Sequence, residues 1–329
     1  MPRPDPAPDG AVVQVEATGV CRSDWHAWQG HDDGVPLPFV PGHEFAGTVV
    51  QVGSDVDRAW IGRRVTAPFV CACGTCATCA AGEHQVCPNQ EQPGFTHDGS
   101  FAEFVAIRHA RTNLVALPDE VSFDVAATLG CRYATAWRAV HRRARVVAGE
   151  RVAVYGCGGL GLSAVIIASR AGAEVTAVDA SPTALELATR LGAARTATAA
   201  VPDMHVALEC SGHAGLADAA LRALRRRGRH VQIGLLPGGA HVSMDAVIAG
   251  ELDVLGSHGL AAHEYPELLR TLPHDAVAAM VGRHGRLEDA QHALETLGAS
   301  AGVVLIHPGE RPAPLVGRDG EHARRRARS

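Results

Sequence analysis

The 329-residue chain contains no lysine, and all 30 of its basic residues are arginine. We attribute this to a coding bias toward arginine and alanine. The 35 acidic residues give a formal net charge of −5, which argues against general binding to nucleic acids or membrane surfaces. No apolar run approaches the ~20 residues that a membrane-spanning helix needs. The sequence therefore predicts roughly two domains, with neither nucleic acid nor membrane as a partner.

A hydrophobic signal segment is also lacking after the opening MPRPDPAPDG. The nine cysteines are an odd number. Both features disfavour the disulfide framework that is typical of small secreted proteins. We therefore expect free thiols, some of them metal ligands, and a cytoplasmic location.

Four of these cysteines have the spacing C-x2-C-x2-C-x7-C: Cys73, Cys76, Cys79 and Cys87. Four thiolates on one short segment can close a tetrahedron around zinc, which predicts a structural site with no open position. A nucleic-acid-binding zinc ribbon is the alternative. It is disfavoured because residues 71–100 contain no arginine or lysine. Cys71 breaks the spacing and is not expected to be a ligand.

A second metal site is indicated by three residues that are far apart in the chain. Cys21 lies in GVCRSDWH, His43 in PGHE and Cys131 in LGCRYATA. Two sulfurs and one nitrogen would leave a fourth position open, which is the pattern of catalytic zinc.

The pattern of apolar and polar residues changes near residue 134. Residues 11–110 contain short alternating runs such as EFAGTVVQVG and SFAEFVAI, which predict a mostly-β domain. From residue 134 onward, strand and helix patterns alternate, beginning with VAVYG and LSAVIIASRAG, which predicts a parallel α/β sheet. VVLIHP predicts one last strand. The tail after it lacks apolar periodicity and is predicted to be disordered.

A glycine-rich turn, GCGGLG, follows VAVY and fits G-x-G-x-x-G. Gly156 permits the tight turn, Gly158 lets the backbone approach a pyrophosphate, and Gly161 lets helix and strand pack closely. Asp179 ends the next strand. A carboxylate there binds the adenosine ribose hydroxyls and repels a 2′-phosphate, which predicts NAD rather than NADP. A glycine turn without a nucleotide is the alternative.

Six motifs together resemble those of the zinc-dependent alcohol dehydrogenases of the medium-chain dehydrogenase/reductase superfamily. They are GVCRSDWHAWQG, PGHEFAG, CGTCATCAAGEHQVC, DGSFAEF, LGCRYATAW and GCGGLG. The resemblance runs from about residue 11 to 308. It implies a GroES-like, mostly-β catalytic domain over residues 1–133 and a Rossmann NAD-binding domain over residues 134–257. Residues 258–308 would return to the catalytic domain, and residues 309–329 would be the tail.

The resemblance also implies the activity. It predicts hydride transfer between NAD and an alcohol/aldehyde or alcohol/ketone pair, in a homo-oligomer with two zincs per chain. By resemblance, Cys21, His43 and Cys131 are the catalytic zinc ligands. Asp24 resembles the carboxylate that orients the ligand histidine, and Glu44 resembles the nearby acid that can approach the metal.

A proton relay is implied by the same comparison. Ser23 resembles the hydroxyl that accepts the alcohol proton, and His26 resembles the outer end of the relay. A helix cap for Ser23 and an unconnected surface position for His26 are the alternatives. Arg22 resembles the pyrophosphate-binding residue, and Thr135 lies where the family places a side chain behind the nicotinamide.

Three aromatic residues are candidates for the walls of the substrate pocket: Trp25, Trp28 and Phe69. Ordinary core packing explains each of them equally well. The substrate itself is not predicted, because loops set the shape of a pocket.

Two segments are shorter than the family pattern. Only ten residues precede AVVQVEATGV, so we expect the opening strands of the GroES-like fold to be missing and a sheet edge to be exposed. Only Ala199–Met204 bridge two Rossmann strands, a gap that the chain can span at ~3.6 Å per residue but without a helix. An alternative function is therefore a remnant that binds zinc and dinucleotide with little activity. A zinc-independent quinone or enoyl reductase would lack the Cys21, His43 and Cys131 set.

Overall fold

The computed structural model describes residues 2–309, apart from Asp33, Pro36, Pro237 and Ser300. After Gly309, the predicted disordered tail lies outside the described residues. Within them, the strands follow in chain order. They are β1 (Ala11–Val20), β2 (Phe45–Val52), β3 (Arg64–Thr66), β4 (Phe104–Ile107), β5 (Val115–Ala116), β6 (Arg151–Tyr155), β7 (Glu174–Val178), β8 (Arg195–Ala197), β9 (Met204–Glu209), β10 (Leu224–Gln232), β11 (Asp253–Gly256), β12 (Val281–Arg286) and β13 (Val303–His307).

The α-helices are short, with α6 the longest in the described part of the chain. They are α1 (Arg22–Trp28), α2 (Ala77–Ala80), α3 (Ala110–Asn113), α4 (Phe123–Ala126), α5 (Ala134–Arg138), α6 (Gly159–Arg170), α7 (Pro182–Arg190), α8 (Ala214–Arg222), α9 (Met244–Gly250), α10 (Tyr265–Arg270), α11 (His274–Ala278) and α12 (Ala290–Glu295). None of these helices has the length and apolar character needed to cross a membrane.

The first sheet has the order β12-β13-β1-β2-β3-β5, and β4 also pairs with β1. Strand β1 is buried along most of its length, since it pairs with β2, β4 and β13. This explains its nearly continuous apolar sequence. Thr18 of β1 pairs with Phe45 of β2 on one side and with Ile306 of β13 on the other. The end of β1, the start of β2 and the end of the chain's last strand therefore meet at one place.

The second sheet has the order β11-β10-β9-β6-β7-β8, and its described pairings are parallel. The chain runs outward from β6 to β7 and β8, then returns to β9 on the other side of β6. A reversal of this kind creates a crevice at the carboxyl ends of the central strands, where ligands of open α/β sheets bind. Helix α6 starts at this crevice and is buried from Gly161 to Ala168.

The β8–β9 connection and the edge of the first sheet bear on two of the sequence expectations. No helix lies between β8 and β9, as predicted. Strand β9 is nevertheless central in its sheet and largely buried. In the described chain, β4 pairs only with β1, so its other edge has no strand partner. The residues before Ala11 contact the rest of the domain, because the carbonyls of Pro8 and Asp9 accept backbone hydrogen bonds from Asp55 and Ala110.

The apolar pattern of LADAALRALRR, residues 216–226, is typical of a helix, but the helix formed there is shorter. Helix α8 ends at Arg222, and β10 already begins at Leu224. The reason is tertiary, because Leu224 pairs with Met204 at the start of β9. Strand pairing therefore overrides the helical propensity of the Leu224–Arg226 segment.

Candidate active site

Three of the predicted zinc ligands converge from different elements. Cys21 directly follows β1, and His43 lies two residues before β2. Cys131 lies in a π-helical turn, Leu129–Tyr133, that leads into α5. One ligand atom from each of the three side chains lies within 4.8 Å of the others. Strand pairing and the turn before α5 thus bring together three ligands that are far apart in the sequence.

Asp24 positions two of these ligands. Its Oδ1 contacts Nδ1 of His43 at 2.8 Å and accepts a hydrogen bond from the Gly42 amide at 3.1 Å. Its Oδ2 accepts a hydrogen bond from the Cys21 amide at 2.9 Å. With Nδ1 directed at the carboxylate, Nε2 of His43 is left for the two sulfurs. That Nε2 is buried and has no hydrogen-bond partner among the described residues.

The charges in this cluster favour a cation. The contact with Cys131 is the largest of the effects that hold the pKa of Cys21 well below its usual value, and the same contact raises the pKa of Cys131. Burial lowers the pKa of His43, but Asp24 outweighs burial and the net shift is upward. A metal ion must displace the bound protons, so its affinity falls as the pH falls. The unpartnered Nε2 and two sulfurs are a donor set that fits zinc.

The four-cysteine segment fits zinc by distance. The Sγ–Sγ separations are 3.5 Å for Cys73–Cys87 and Cys76–Cys79. The Cys76–Cys87 and Cys73–Cys79 pairs are 3.8 and 3.9 Å apart. A tetrahedron with Zn–S bonds of about 2.3 Å has edges of about 3.8 Å. Cys71 is outside this group, and its buried Sγ lies 3.5 Å from the Pro68 carbonyl.

Glu44 is buried behind the catalytic cluster and is paired with Arg132. Its Oε1 accepts hydrogen bonds from the amides of Cys131 at 3.1 Å and Arg132 at 2.6 Å. Its Oε2 forms an ion pair with the Arg132 guanidinium, which also donates to the Val20 carbonyl at 2.9 Å. Burial raises the pKa of Glu44 to about 7, although Arg132 opposes the shift. This network joins the end of β1 to the Cys131 turn.

Arg132 also reaches the glycine-rich turn. A Cβ built on Gly159 would lie 3.0 Å from Nη1 of Arg132 and 3.2 Å from a methyl of Val303. Gly159 is the first residue of α6, whose amino-terminal amides face a bound anion in dinucleotide sites. The buried Arg132 guanidinium therefore lies between the Glu44 carboxylate and the first residue of α6.

The glycine turn has the close approaches that the motif predicts. Gly156 has a φ of +86°, and a Cβ on Gly161 would lie 1.7 Å from the Gly156 carbonyl oxygen. A Cβ on Gly158 would meet nothing within 4 Å. The turn is therefore tight where it meets the protein and open at Gly158. These residues fit a dinucleotide pyrophosphate.

Asp179 follows β7 at the edge of this turn. Its Oδ2 accepts a hydrogen bond from the Cys157 amide at 2.6 Å, and its Oδ1 accepts one from the Ser181 amide at 2.8 Å. The carboxylate is therefore held in place from both sides. Thr135 is buried in α5, and its hydroxyl has no partner among the described residues.

The predicted relay residues line one cavity of about 240 Å³. Its walls are Ser23, His26, His31, Asp32, Phe95, Leu235 and Leu236. Nδ1 of His26 lies 3.0 Å from Nδ1 of His31. Burial, followed by the charges of His31 and Arg22, lowers the pKa of His26. A neutral imidazole at this position can accept a proton.

The three aromatic residues predicted as pocket walls differ in burial and in their neighbours. Phe69 is buried with its ring 6.0 Å from that of His43. Trp25 is half-buried and packs against the cluster that contains Phe101 and Leu294, while Trp28 is 40% exposed. The Arg22 guanidinium is exposed and lies over the Trp25 ring. Of the three aromatic side chains, Phe69 has its ring beside that of a predicted zinc ligand.

Comparison with known proteins identifies the family. Residues 7–119 match the model of the alcohol dehydrogenase GroES-like domain, and residues 159–273 match that of the zinc-binding dehydrogenases. The alcohol dehydrogenase of Geobacillus stearothermophilus is 34% identical over 259 residues, which cover 75% of this chain and 76% of the relative. The chain belongs to the zinc-dependent alcohol dehydrogenase family of the medium-chain dehydrogenase/reductase superfamily.

Other members of the family are similar to the same extent. The L-threonine 3-dehydrogenase of Rhizobium johnstonii is 31% identical over 277 residues, or 79% of each chain. The structure of acetophenone reductase from Geotrichum candidum in complex with NAD matches with a TM-score of 0.85 and 26% identity, covering 93% of this chain and 92% of that one. Membership confirms the predicted GroES-like and Rossmann folds, and zinc and a nicotinamide dinucleotide as the cofactors of the family. The domain boundaries at residues 133 and 257 remain predictions.

Several residues of this candidate site were not predicted from the sequence. They are Arg132, His31, Asp32, Phe95, Leu235 and Leu236. Only Arg132 carried a usable signal, because an arginine inside the apolar LGCRYATA segment must be buried with a carboxylate. The others come from loops whose paths are set by tertiary contacts.

Proposed function

We propose that this protein is a zinc- and NAD-dependent oxidoreductase that interconverts an alcohol with its aldehyde or ketone. The convergence of Cys21, His43 and Cys131 beside the cavity that Ser23 lines is the observation that supports this most strongly. When bound, zinc would polarise the substrate oxygen as a Lewis acid and NAD would accept the hydride. The relatives are named for alcohols, threonine and acetophenone, so the chemical class of substrate is a hydroxyl or carbonyl compound.

The chain's own residues supply position and a proton path. Asp24 holds His43 and Cys21 in place as ligands. The Ser23 hydroxyl accepts the proton of the substrate alcohol, and His26 passes it toward His31 at the exposed end of the cavity. Phe69 and Phe95 flank the His43 ring and exclude water from the reacting carbon. Gly158 and the start of α6 bind the pyrophosphate.

Two observations favour an active enzyme over the alternative of a remnant with little activity. The ligand atoms of Cys21, His43 and Cys131 lie within 4.8 Å of one another, and the glycine turn has its close approaches. Homo-oligomerisation and the cytoplasmic location remain predictions.

Metal content tests the two-site assignment. Elemental analysis of the metal-replete protein should give close to two zincs per chain, and Cys21→Ala should give one. Cys71→Ala is the matched control, because this buried thiol adjoins the four-cysteine segment without belonging to it, and it should keep two. One zinc in the unaltered protein and the same one zinc in Cys21→Ala would show that Cys21, His43 and Cys131 do not bind zinc.

Cofactor choice tests the role of Asp179. Because like charges brought together cost several kcal/mol, NAD should be preferred over NADP by roughly a hundredfold or more in kcat/KM. Asp179→Asn keeps the size of the side chain and one acceptor for the turn, and should shrink this preference. An equal kcat/KM for the two cofactors in the unaltered protein would contradict the assignment.

A further inference from the structure

A third cluster of metal-type ligands lies outside both cysteine sites. It consists of Asp124 in α4, His284 in β12 and His307 at the end of β13, and their ligand atoms lie within 4.8 Å of one another. These residues are far apart in the chain. They meet because β12 and β13 pair in parallel and β13 lies beside β1, next to which α4 packs.

The geometry of the cluster is that of a coordination sphere. Nδ1 of His284 lies 3.0 Å from Nε2 of His307, and the two rings are stacked at 19°. The Asp124 carboxylate turns one oxygen to each ring, with Oδ1 3.7 Å from His307 and Oδ2 3.9 Å from His284. Both distances are too long for hydrogen bonds. Around an ion with bonds of about 2.0–2.2 Å, neighbouring ligand atoms are about 3.0–3.5 Å apart, so small side-chain shifts complete the site.

A hydrogen bond fixes His307 in the tautomer that a metal ligand needs, with Nε2 unprotonated. Its Nδ1 lies 3.0 Å from the Glu16 carbonyl oxygen. A carbonyl oxygen only accepts, so Nδ1 carries the hydrogen and Nε2 presents a lone pair to His284 and Asp124. A histidine whose other nitrogen donates to a backbone carbonyl is the common arrangement at metal sites, since that hydrogen bond fixes the orientation of the ring.

The cluster is also accessible. The side chains of His284 and Asp124 are 44% and 45% exposed, while that of His307 is 17% exposed. A hydrogen bond between the two histidines explains their own contact. It does not explain why each carboxylate oxygen faces a different imidazole beyond hydrogen-bonding distance.

We propose that Asp124, His284 and His307 form a third, exchangeable metal site, with water as the remaining ligand. It takes a divalent transition ion such as Co²⁺ when the free ion is added and is empty in protein that retains only the two zincs of the cysteine sites. Two imidazoles and one carboxylate suit these ions and offer no thiolate. The bound ion would tie the returning strands β12 and β13 to α4. It binds the folded arrangement, so it should stabilise the protein by mass action.

The test uses the full-length protein with its two cysteine-site zincs in place. Titration with Co²⁺, followed by absorbance and calorimetry, should show that one further equivalent of Co²⁺ binds. Its spectrum should contain visible Co²⁺ bands but no near-ultraviolet charge-transfer band of a cobalt–thiolate bond. His284→Gln and Asp124→Asn should each weaken this equivalent by more than the roughly 10–100-fold typical for loss of a group that only orients a ligand. His292→Gln, at an exposed histidine of α12, should leave it unchanged.

Zinc content distinguishes loss of the third site from loss of the fold. Retention of two zincs by each variant shows that the protein is folded and that the cysteine sites are intact. The proposal is overturned if the unaltered protein binds no Co²⁺ beyond the cysteine sites, or if the third equivalent persists in both His284→Gln and Asp124→Asn. Neither result bears on alcohol oxidation, which depends on Cys21, His43 and Cys131.

Discussion

Replacing Ser23 by alanine should lower the rate of alcohol oxidation by roughly 10²–10⁴-fold while two zincs per chain remain bound. The hydroxyl carries a proton and does not bind metal, so the loss should lie in kcat, with little change in zinc content or in the affinity for NADH. Steady-state kinetics and elemental analysis on the same sample measure both quantities.

Two further variants make this result specific. Ser23→Thr keeps a hydroxyl at the same position and should recover much of the rate. His26→Ala should cost less than Ser23→Ala, because His31 or solvent can replace an outer member of the relay. Unchanged turnover in Ser23→Ala would rule the relay out.

Replacing Arg132 by methionine should destabilise the protein by about 3–5 kcal/mol, the usual cost of leaving one charge of a buried pair without its partner. Here the stranded group is Glu44, which is fully buried and whose pKa burial already raises to about 7 with Arg132 present. The full cost is therefore expected only well above pH 7, where the Glu44 carboxyl is ionised. Because Nη1 of Arg132 lies against the glycine turn, NADH binding should weaken as well. Denaturant unfolding at fixed zinc concentration and a fluorescence titration with NADH measure the two effects.

The control for this prediction is an exposed ion pair. Arg222 and Asp218 are four residues apart on α8, and the Arg222 side chain is 56% exposed. Arg222→Met should cost less than about 1 kcal/mol. The double variant Arg132→Met with Glu44→Gln should recover most of the lost stability, since it removes both charges. If Arg132→Met unfolds at the same denaturant concentration as the unaltered protein, the ion pair between Arg132 and Glu44 does not stabilise the fold.

The four-cysteine cluster and the glycine turn could be predicted because local spacing encodes them. The cysteine spacing over residues 73–87 forces four sulfurs together, and GCGGLG following a buried strand has few other uses. Cys21, His43 and Cys131 are more distant, and their convergence depended on the family resemblance.

The remainder of the site could not be predicted, because it depends on long-range packing. Leu235 and Leu236 enter the cavity from the loop after β10, and nothing in their local sequence indicates this. Arg132 meets Glu44 only after β2 is placed beside the Cys131 turn. The cluster of Asp124, His284 and His307 likewise depends on the position that the returning strand β13 takes beside β1.

NADH formation from NAD and a panel of alcohols, on samples of known zinc content, tests the proposed activity most directly. The rate should rise in proportion to the second zinc equivalent, as loading goes from one to two per chain, and should be lost in Cys21→Ala. NADH formation at an undiminished rate in protein that holds one zinc per chain, or in Cys21→Ala, would contradict this expectation.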